Sequence, residues 1–464
     1  MEPISFGTSG WRATLDVFTD ERVRIVAQAA ATYLREERND RRPVAVGYDA
    51  RETSAGFAES VADVLSANGF DVLLAARDCP TPVVSYAIVD RNLSGGLVVT
   101  ASHNPPEYNG IKFLPDDGAP SMPAVTDAIE ANLTPPEPLP EGQHGTIERF
   151  DPVPAHASGV TELVGRHFET DLEGLTVVYD ALYGSGRGVT DALLESAGAE
   201  VVRRRCDRDP TFGGTAPEPG RKNLAGLVDA VDRHDADLGI ANDGDADRAV
   251  VCTPDRGYLD GNFLFAVLYE ALLDRGASGP AVRTVSTTAL VDRIADAYGE
   301  SVYEVPVGFK WVADEMARCD ALVGGEESDG FTVRGHVRQK DGVLVALLAA
   351  AIAAEQPIDD RLDRIVDTYG GIYADKTSVD CPDDRKHAAL AAFEDAIPET
   401  IAGQPIDRVV TLDGVKLFVA DGSWLLVRPS GTEPKLRVYA ESPDPDRLES
   451  LLETGCELVE SAVE

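Results

Sequence analysis

The sequence predicts an α/β protein in which three repeated α/β domains with mixed sheets, followed by a C-terminal α+β domain, surround a central cleft. Three observations lead there. A strand, helix, strand unit is written three times along the chain. Each copy is followed by a further helical stretch and an apolar strand that runs directly into a loop rich in chemistry-bearing residues. The length of 464 residues, at roughly 100–200 residues per domain, makes two to four domains.

The first copy spans residues 43–74, PVAVGYDARETSAGFAESVADVLSANGFDVLL: an apolar strand, a polar turn, a helix with apolar residues at i, i+3 and i+4, a Gly stop and a second strand. Residues 175–202 repeat that order, with Tyr179-Asp180-Ala181 matching Tyr48-Asp49-Ala50. A fainter third copy starts at Arg283, passes through the helical LVDRIADAYG and returns as SVYEVPV. The loops that follow are ASHNP after GGLVVT, NDGDADR after ADLGIA, and GGEESDG after DALV. Open α/β sheets hold ligands beyond the C-terminal ends of their strands, so three such loops can face one cleft. Six prolines within 133–159 predict a linker, and a boundary near 150. After Asp367 shorter strands take over, ending in a helix from Pro445. The expected domains are 1–150, 151–253, 254–367 and 368–464.

Composition narrows the function. With 43% hydrophobic and 26% charged residues the chain can bury several cores. Its 80 acids against 42 bases give a net charge of −38, and only eight of the bases are Lys. Broad binding to nucleic acid or to an anionic membrane is therefore excluded, for nothing attracts a polyphosphate over a wide surface. Acid spread through every segment is expected of a protein working in high salt. Six cysteines without a C-x-x-C pair suggest neither a disulfide framework nor a zinc site. An N-terminus with no basic, then apolar, segment gives no sign of a signal peptide, and the expected compartment is the cytoplasm. The longest uncharged apolar stretch, Gly342 to Ala354, is too short for a membrane span and reads as a buried helix.

In TASHNPPEYNGIK, Ser102 follows a strand and is succeeded by His103, an Asn-Pro-Pro turn and Lys112. Such a serine is expected to be exposed and rigidly held. In NDGDADR, Asp243, Asp245 and Asp247 alternate along a turning segment, so three hard oxygen ligands can converge on one cation, and Mg²⁺ suits them. Calcium-sensor loops need Gly at position six and Glu at twelve, which here are Arg248 and Pro254. GGEESDG offers Glu326 and Ser328 as acceptors for sugar hydroxyls between glycines. RPSGTEPKLR combines Arg428, Ser430, Gly431 and Thr432 with Lys435 and Arg437, a fork-shaped cation with hydroxyls and backbone N–H groups able to grip a phosphate. Half of the lysines, Lys112, Lys310, Lys340 and Lys435, lie in or beside these loops, as an anion site in an acidic protein requires.

These four loops, in this order and with the N-terminal FGTSGWR, resemble the α-D-phosphohexomutase superfamily over essentially the whole chain. The resemblance implies four domains contributing one loop each to a central cleft. It implies Ser102 as a phosphoserine that also ligates the metal, Asp243, Asp245 and Asp247 as Mg²⁺ ligands, and Arg12, Lys112 and Arg248 around the transferring phosphoryl group. Glu326 and Ser328 would hold sugar hydroxyls, and Arg428, Ser430, Gly431 and Thr432 the phosphate that is not reacting, with Arg437 beside them. The implied reaction moves phosphate between C1 and C6 of a hexose phosphate through a hexose 1,6-bisphosphate, which also serves as activator. His103 and Lys112 are both placed to act as the base. GEES in the sugar loop, the VPVGFKWV segment with Gly308 and Lys310, and Lys340-Asp341-Gly342 lean by resemblance toward glucose phosphates; phosphomannose and phosphoglucosamine stay open. Some mutases carry a His after the sugar loop, where this chain has Asp329 and Gly330. A metal-dependent sugar phosphatase is the alternative from another class, and a separate phosphate-gripping loop argues against it. Oligomeric state is not legible here.

Overall fold

The computed structural model describes residues 4–7, 10–431 and 433–463. Its first sheet contains β1 (Trp11–Thr14), β2 (Val44–Tyr48), β3 (Val72–Ala75), β4 (Gly95–Val99), β5 (Tyr108–Pro115) and β6 (Ile147–Phe150). The second contains β7 (Thr176–Asp180), β8 (Glu200–Arg204), β9 (Leu238–Asn242), β10 (Ala249–Thr253) and β11 (Gly257–Tyr258). The third contains β12 (Ala281–Thr284), β13 (Val302–Val305), β14 (Val323–Glu326) and β15 (Gly330–Val333). The fourth contains β16 (Tyr373–Asp380), β17 (Thr400–Ile401), β18 (Gln404–Val410), β19 (Val415–Val419), β20 (Trp424–Pro429) and β21 (Lys435–Ser442).

The repeat legible in the sequence is a repeat of topology. The first three sheets share the orders β5-β4-β2-β3, β10-β9-β7-β8 and β15-β14-β12-β13. In each, three parallel strands are joined by helices and the last one turns back as an antiparallel neighbour. The turn between that last pair is, every time, one of the three chemistry-bearing loops. Strands buried on both faces explain their unbroken apolar sequences, such as LGIA in β9. The fourth sheet is antiparallel throughout and is covered by the helices Lys386–Asp395 and Pro445–Val463.

One continuous apolar core runs through the first three sheets, and the fourth has its own. The third and fourth meet through Val285, Trp424, Leu426 and Tyr439. The helix Gly342–Glu355 is buried from Gly342 to Ala353, as its sequence predicts, and only its last two residues are exposed. Among the described residues no single helix is long and apolar enough to cross a membrane. All six cysteines are free. The proline-rich stretch is more ordered than a linker: β6 adds to the edge of the first sheet, and a helix begins at Val153 with proline in its first turn, where no N–H is needed.

One cluster spans the chain in a way no spacing reveals. Asp341 Oδ2 accepts from His156 Nε2 at 2.6 Å and from His336 Nε2 at 2.7 Å, and its Oδ1 caps the helix that starts at Gly342. The ring of Tyr86, from the first domain, lies against both imidazoles.

Candidate active site

β4 ends at Val99 and the chain turns through Ser102 before returning as β5. Ser102 sits in the left-handed region at φ +52°, where a side chain is tolerated only if its surroundings hold it. Arg51 supplies that hold. Its guanidinium donates to the carbonyls of Ser102 (2.9 Å), Asn104 (2.6 Å), Pro105 (2.6 Å) and Tyr108 (2.9 Å), and its Nε to Asp49 Oδ2 (3.0 Å). Asp49 also accepts from Ser54 and Thr100, and the Ser102 N–H donates to Thr100 Oγ1 at 2.8 Å.

The serine is rigidly held, as its sequence context predicts, but it is not exposed: Ser102 retains 1% of its surface. The reason is the second loop, which packs directly on it. Ser102 Oγ donates to Asp243 Oδ2 at 2.8 Å. A Cβ added at Gly244 would lie 2.4 Å from the Ser102 carbonyl oxygen, so only glycine permits this approach.

Asp243, Asp245 and Asp247 are all buried, and one oxygen from each lies within 4.8 Å of the other two. Three converging carboxylates repel, and each is balanced differently. Burial and the two other aspartates push the Asp243 carboxyl up to about 8. Burial also opposes ionisation of Asp245, but Lys112 and Thr81 outweigh it and hold that carboxyl well below its ordinary range. Lys112 Nζ lies 2.6 Å from Asp245 Oδ2 and 3.2 Å from Asp247 Oδ2, Thr81 Oγ1 donates to Asp245 at 2.5 Å, and Lys340 Nζ is 3.1 Å from Asp247 Oδ1. Asp245 Oδ1 is buried with no hydrogen-bond partner among the described residues. Buried carboxylates normally complete their hydrogen bonds. An unsatisfied oxygen beside two more, all hard donors, fits a divalent cation such as Mg²⁺.

The other residues that the sequence groups with Ser102 lie beside it and the acidic cluster. His103 Nδ1 lies 3.4 Å from Ser102 Oγ and 3.2 Å from Arg248 Nη2. Burial first, then Arg248, Arg12 and Lys340, lower its imidazole to about 2, so it is neutral. Burial works against the charge on Lys112, yet Asp245 and Asp247 raise its ammonium above the ordinary value. Arg12, on β1, reaches Asn104 Oδ1 at 2.9 Å.

In the third loop Glu326 is buried and its Oε1 accepts the Gly308 N–H at 3.0 Å; Gly308, at φ +122°, adopts a backbone that only glycine enters readily. Ser328 stands half-buried two residues on. Lys310 lines a pocket together with Lys112, Asp247 and Lys340. In the fourth loop Arg428 pairs through Nε with Asp413 at 3.1 Å, and Ser430 is buried while Gly431 is exposed. Arg437 is engaged with Glu433 at 3.0 Å. Thr432 lies outside the described residues.

Sequence reasoning missed Asp49, Arg51, Thr81 and Lys386. Lys386 Nζ donates to the Ser430 carbonyl at 2.7 Å and closes the fourth loop as Arg51 closes the first. The strand-end position of Asp49-x-Arg51, matching Asp180 in the second copy, was the one available signal.

Comparison with known proteins identifies all four domains. Residues 3–138, 157–257 and 260–369 match the Phosphoglucomutase/phosphomannomutase alpha/beta/alpha domains I, II and III, and residues 377–457 match the C-terminal domain of that family. A Phosphoglucomutase/phosphomannomutase of Thermococcus kodakarensis is 32% identical, over 99% of both chains. A probable phosphoglucosamine mutase of Methanopyrus kandleri is 31% identical, over 99% of this chain and 98% of the other. The crystal structure of a putative phosphomannomutase from Thermus thermophilus superposes with a TM-score of 0.86 at 30% identity, covering 99% of each chain. With all four domains matched in order, the chain belongs to the phosphoglucomutase/phosphomannomutase family of α-D-phosphohexomutases, which are isomerases.

Proposed function

We propose that this phosphohexomutase is a phosphoglucomutase that moves phosphate between C1 and C6 of glucose through a phosphorylated Ser102 and a bisphosphate intermediate. The observation that supports the mechanism best is Ser102 Oγ at 2.8 Å from Asp243, inside a buried cluster of three carboxylates and the surrounding cations. The separate fourth loop, with Arg428 and the buried Ser430, argues against a phosphatase, because a hydrolase has no need to hold a second phosphate.

In the forward step the hydroxyl oxygen of the sugar attacks phosphorus, the P–Oγ bond of Ser102 breaks, and the hydroxyl proton needs an acceptor. His103 suits that role: it is neutral, and the charge of about −1.5 to −2 on a phosphoserine next to it would raise its basicity. Lys112 is held charged between two carboxylates and acts as a fixed cation. Asp243, Asp245, Asp247 and Ser102 would hold Mg²⁺, which when bound neutralises charge on the transferring group. Arg12 and Arg248 flank that group. Glu326 and Ser328 orient the sugar, with Gly308 and Lys310 beside them, while Arg428, Ser430 and Gly431 keep the second phosphate. The bisphosphate then turns over in the cleft and Ser102 Oγ takes back the other phosphoryl group.

The deciding experiment is a panel of glucose, mannose, glucosamine and N-acetylglucosamine 1-phosphates, with Mg²⁺, high salt and a trace of bisphosphate. Glucose 1-phosphate is expected to give the largest kcat/KM. A preference of more than about tenfold, ~1.4 kcal/mol, for mannose 1-phosphate or glucosamine 1-phosphate moves the substrate to phosphomannomutase or phosphoglucosamine mutase chemistry. Release of free phosphate in place of isomerised sugar phosphate would reject the mutase mechanism.

A further inference from the structure

The turn between β18 and β19 carries one carboxylate across the boundary between the third and fourth domains. Asp413 Oδ2 accepts from Arg428 Nε at 3.1 Å and from the Val307 N–H at 2.9 Å. Val307 immediately precedes Gly308, whose own N–H donates to Glu326. Successive backbone N–H groups therefore hold one carboxylate from the phosphate-gripping domain and one from the sugar loop.

The turn is fixed on the C-terminal side of Asp413. Gly414 has φ +85°, and a Cβ there would lie 2.3 Å from the Val427 carbonyl oxygen and 2.6 Å from Arg428 Cβ, so the turn lies flat on the Arg428 backbone. Two residues further, the buried Lys416 Nζ donates at 2.7 Å both to the Val285 carbonyl and to Glu304 Oε2, on the third domain. Asp413 and Arg428 are themselves largely buried, with 20% and 12% of their side-chain surface exposed. An acid on a phosphate-binding arginine weakens the attraction for phosphate. Its position offsets that: occupying the Nε edge, it leaves the Nη1/Nη2 pair as the fork that meets phosphate oxygens two at a time.

We propose that Asp413 is the positioning residue for Arg428, fixing the guanidinium against the non-reacting phosphate and registering that grip on the segment whose Gly308 N–H holds Glu326 of the sugar loop. The proposal rests on the reading of Arg428 as a phosphate ligand. Because Asp413 acts through Arg428 and not on the transferring group, its loss affects substrate capture and leaves the chemistry at Ser102 alone.

The test is steady-state kinetics of D413A, D413N, R428A and D413A/R428A with glucose 1-phosphate and saturating glucose 1,6-bisphosphate, with thermal melts of each. In D413A, KM is expected to rise about tenfold and kcat to stay within roughly twofold, in line with one charge-assisted hydrogen bond. D413N falls between, since its amide oxygen still accepts from Val307. In the R428A background D413A adds less than about twofold to KM, because paired residues are not additive. An unchanged KM in D413A beside a raised KM in R428A overturns the proposal alone. So does a fall in kcat with constant KM, or full additivity in the double variant. A normal KM in R428A overturns the phosphate reading and the proposal with it. If D413A melts early, D413N decides: a KM rise below about twofold rejects the role.

Discussion

Ser102 and Gly244 show how little room separates two loops that come from different domains. A left-handed serine meets a glycine whose missing Cβ is what allows Asp243 to reach Oγ. If Ser102 is the phosphoryl carrier proposed above, Ser102→Ala is expected to abolish turnover of glucose 1-phosphate even with excess Mg²⁺ and bisphosphate; near-normal activity would reject a phosphoserine. Gly244→Ala keeps every reactive side chain but forces two backbones apart. A fall in kcat of roughly 100-fold or more is expected, as for other small misplacements of reacting groups, with KM little changed. His103→Gln should lower kcat by about 100-fold, the lower range for a lost general base. A loss confined to Lys112→Met would reassign the proton acceptor. Ser102 and the three aspartates were legible because each group is written contiguously in one loop. Burial of Ser102 was not, because it depends on a loop some 140 residues away in the chain.

At the scale of elements, order was easier to read than purpose. The strand, helix, strand repeat announced three domains because apolar periodicity survives in any single sequence. It said nothing of how the loops are stiffened, since Arg51 and Lys386 work on backbone carbonyls, which leave no trace in residue identity. Arg51 gives one planar fork to four carbonyls and a carboxylate, a geometry a lysine ammonium cannot reproduce. Arg51→Lys is therefore not conservative here. It is expected to destabilise the protein by about 1–3 kcal/mol, the cost of leaving buried acceptors unpaired, and to lower kcat at least tenfold through the loosened serine. A variant with normal kcat and normal melting would show that the Ser102 loop holds its shape without it.

Across the whole molecule, the packing of Asp341 against His156 and His336 joins the helix Val153–Val164 to the start of the helix Gly342–Glu355, with Tyr86 of the first domain against both rings. Lys340, the residue before Asp341, pairs with Asp247, so the junction lies one residue away from a side chain that contacts the acidic cluster. Burial opposes ionisation of Asp341, but the two histidines outweigh it and hold its carboxyl well below the ordinary range. A carboxyl depressed in the folded state contributes stability that is fully present above its unfolded value of about 3.9 and is lost as pH falls toward the folded one. Asp341→Asn is thus expected to cost roughly 3 kcal/mol at pH 7, the scale of a broken buried pair. The same deficit should persist at pH 5 and shrink below pH 4, where the wild-type carboxyl begins to lose its advantage. Urea unfolding at these three pH values measures it, and the first three domains, sharing one core, should report it in a common transition. A deficit that stays constant down to pH 3 would mean that the charge on Asp341 is irrelevant and that its helix cap alone supports the junction.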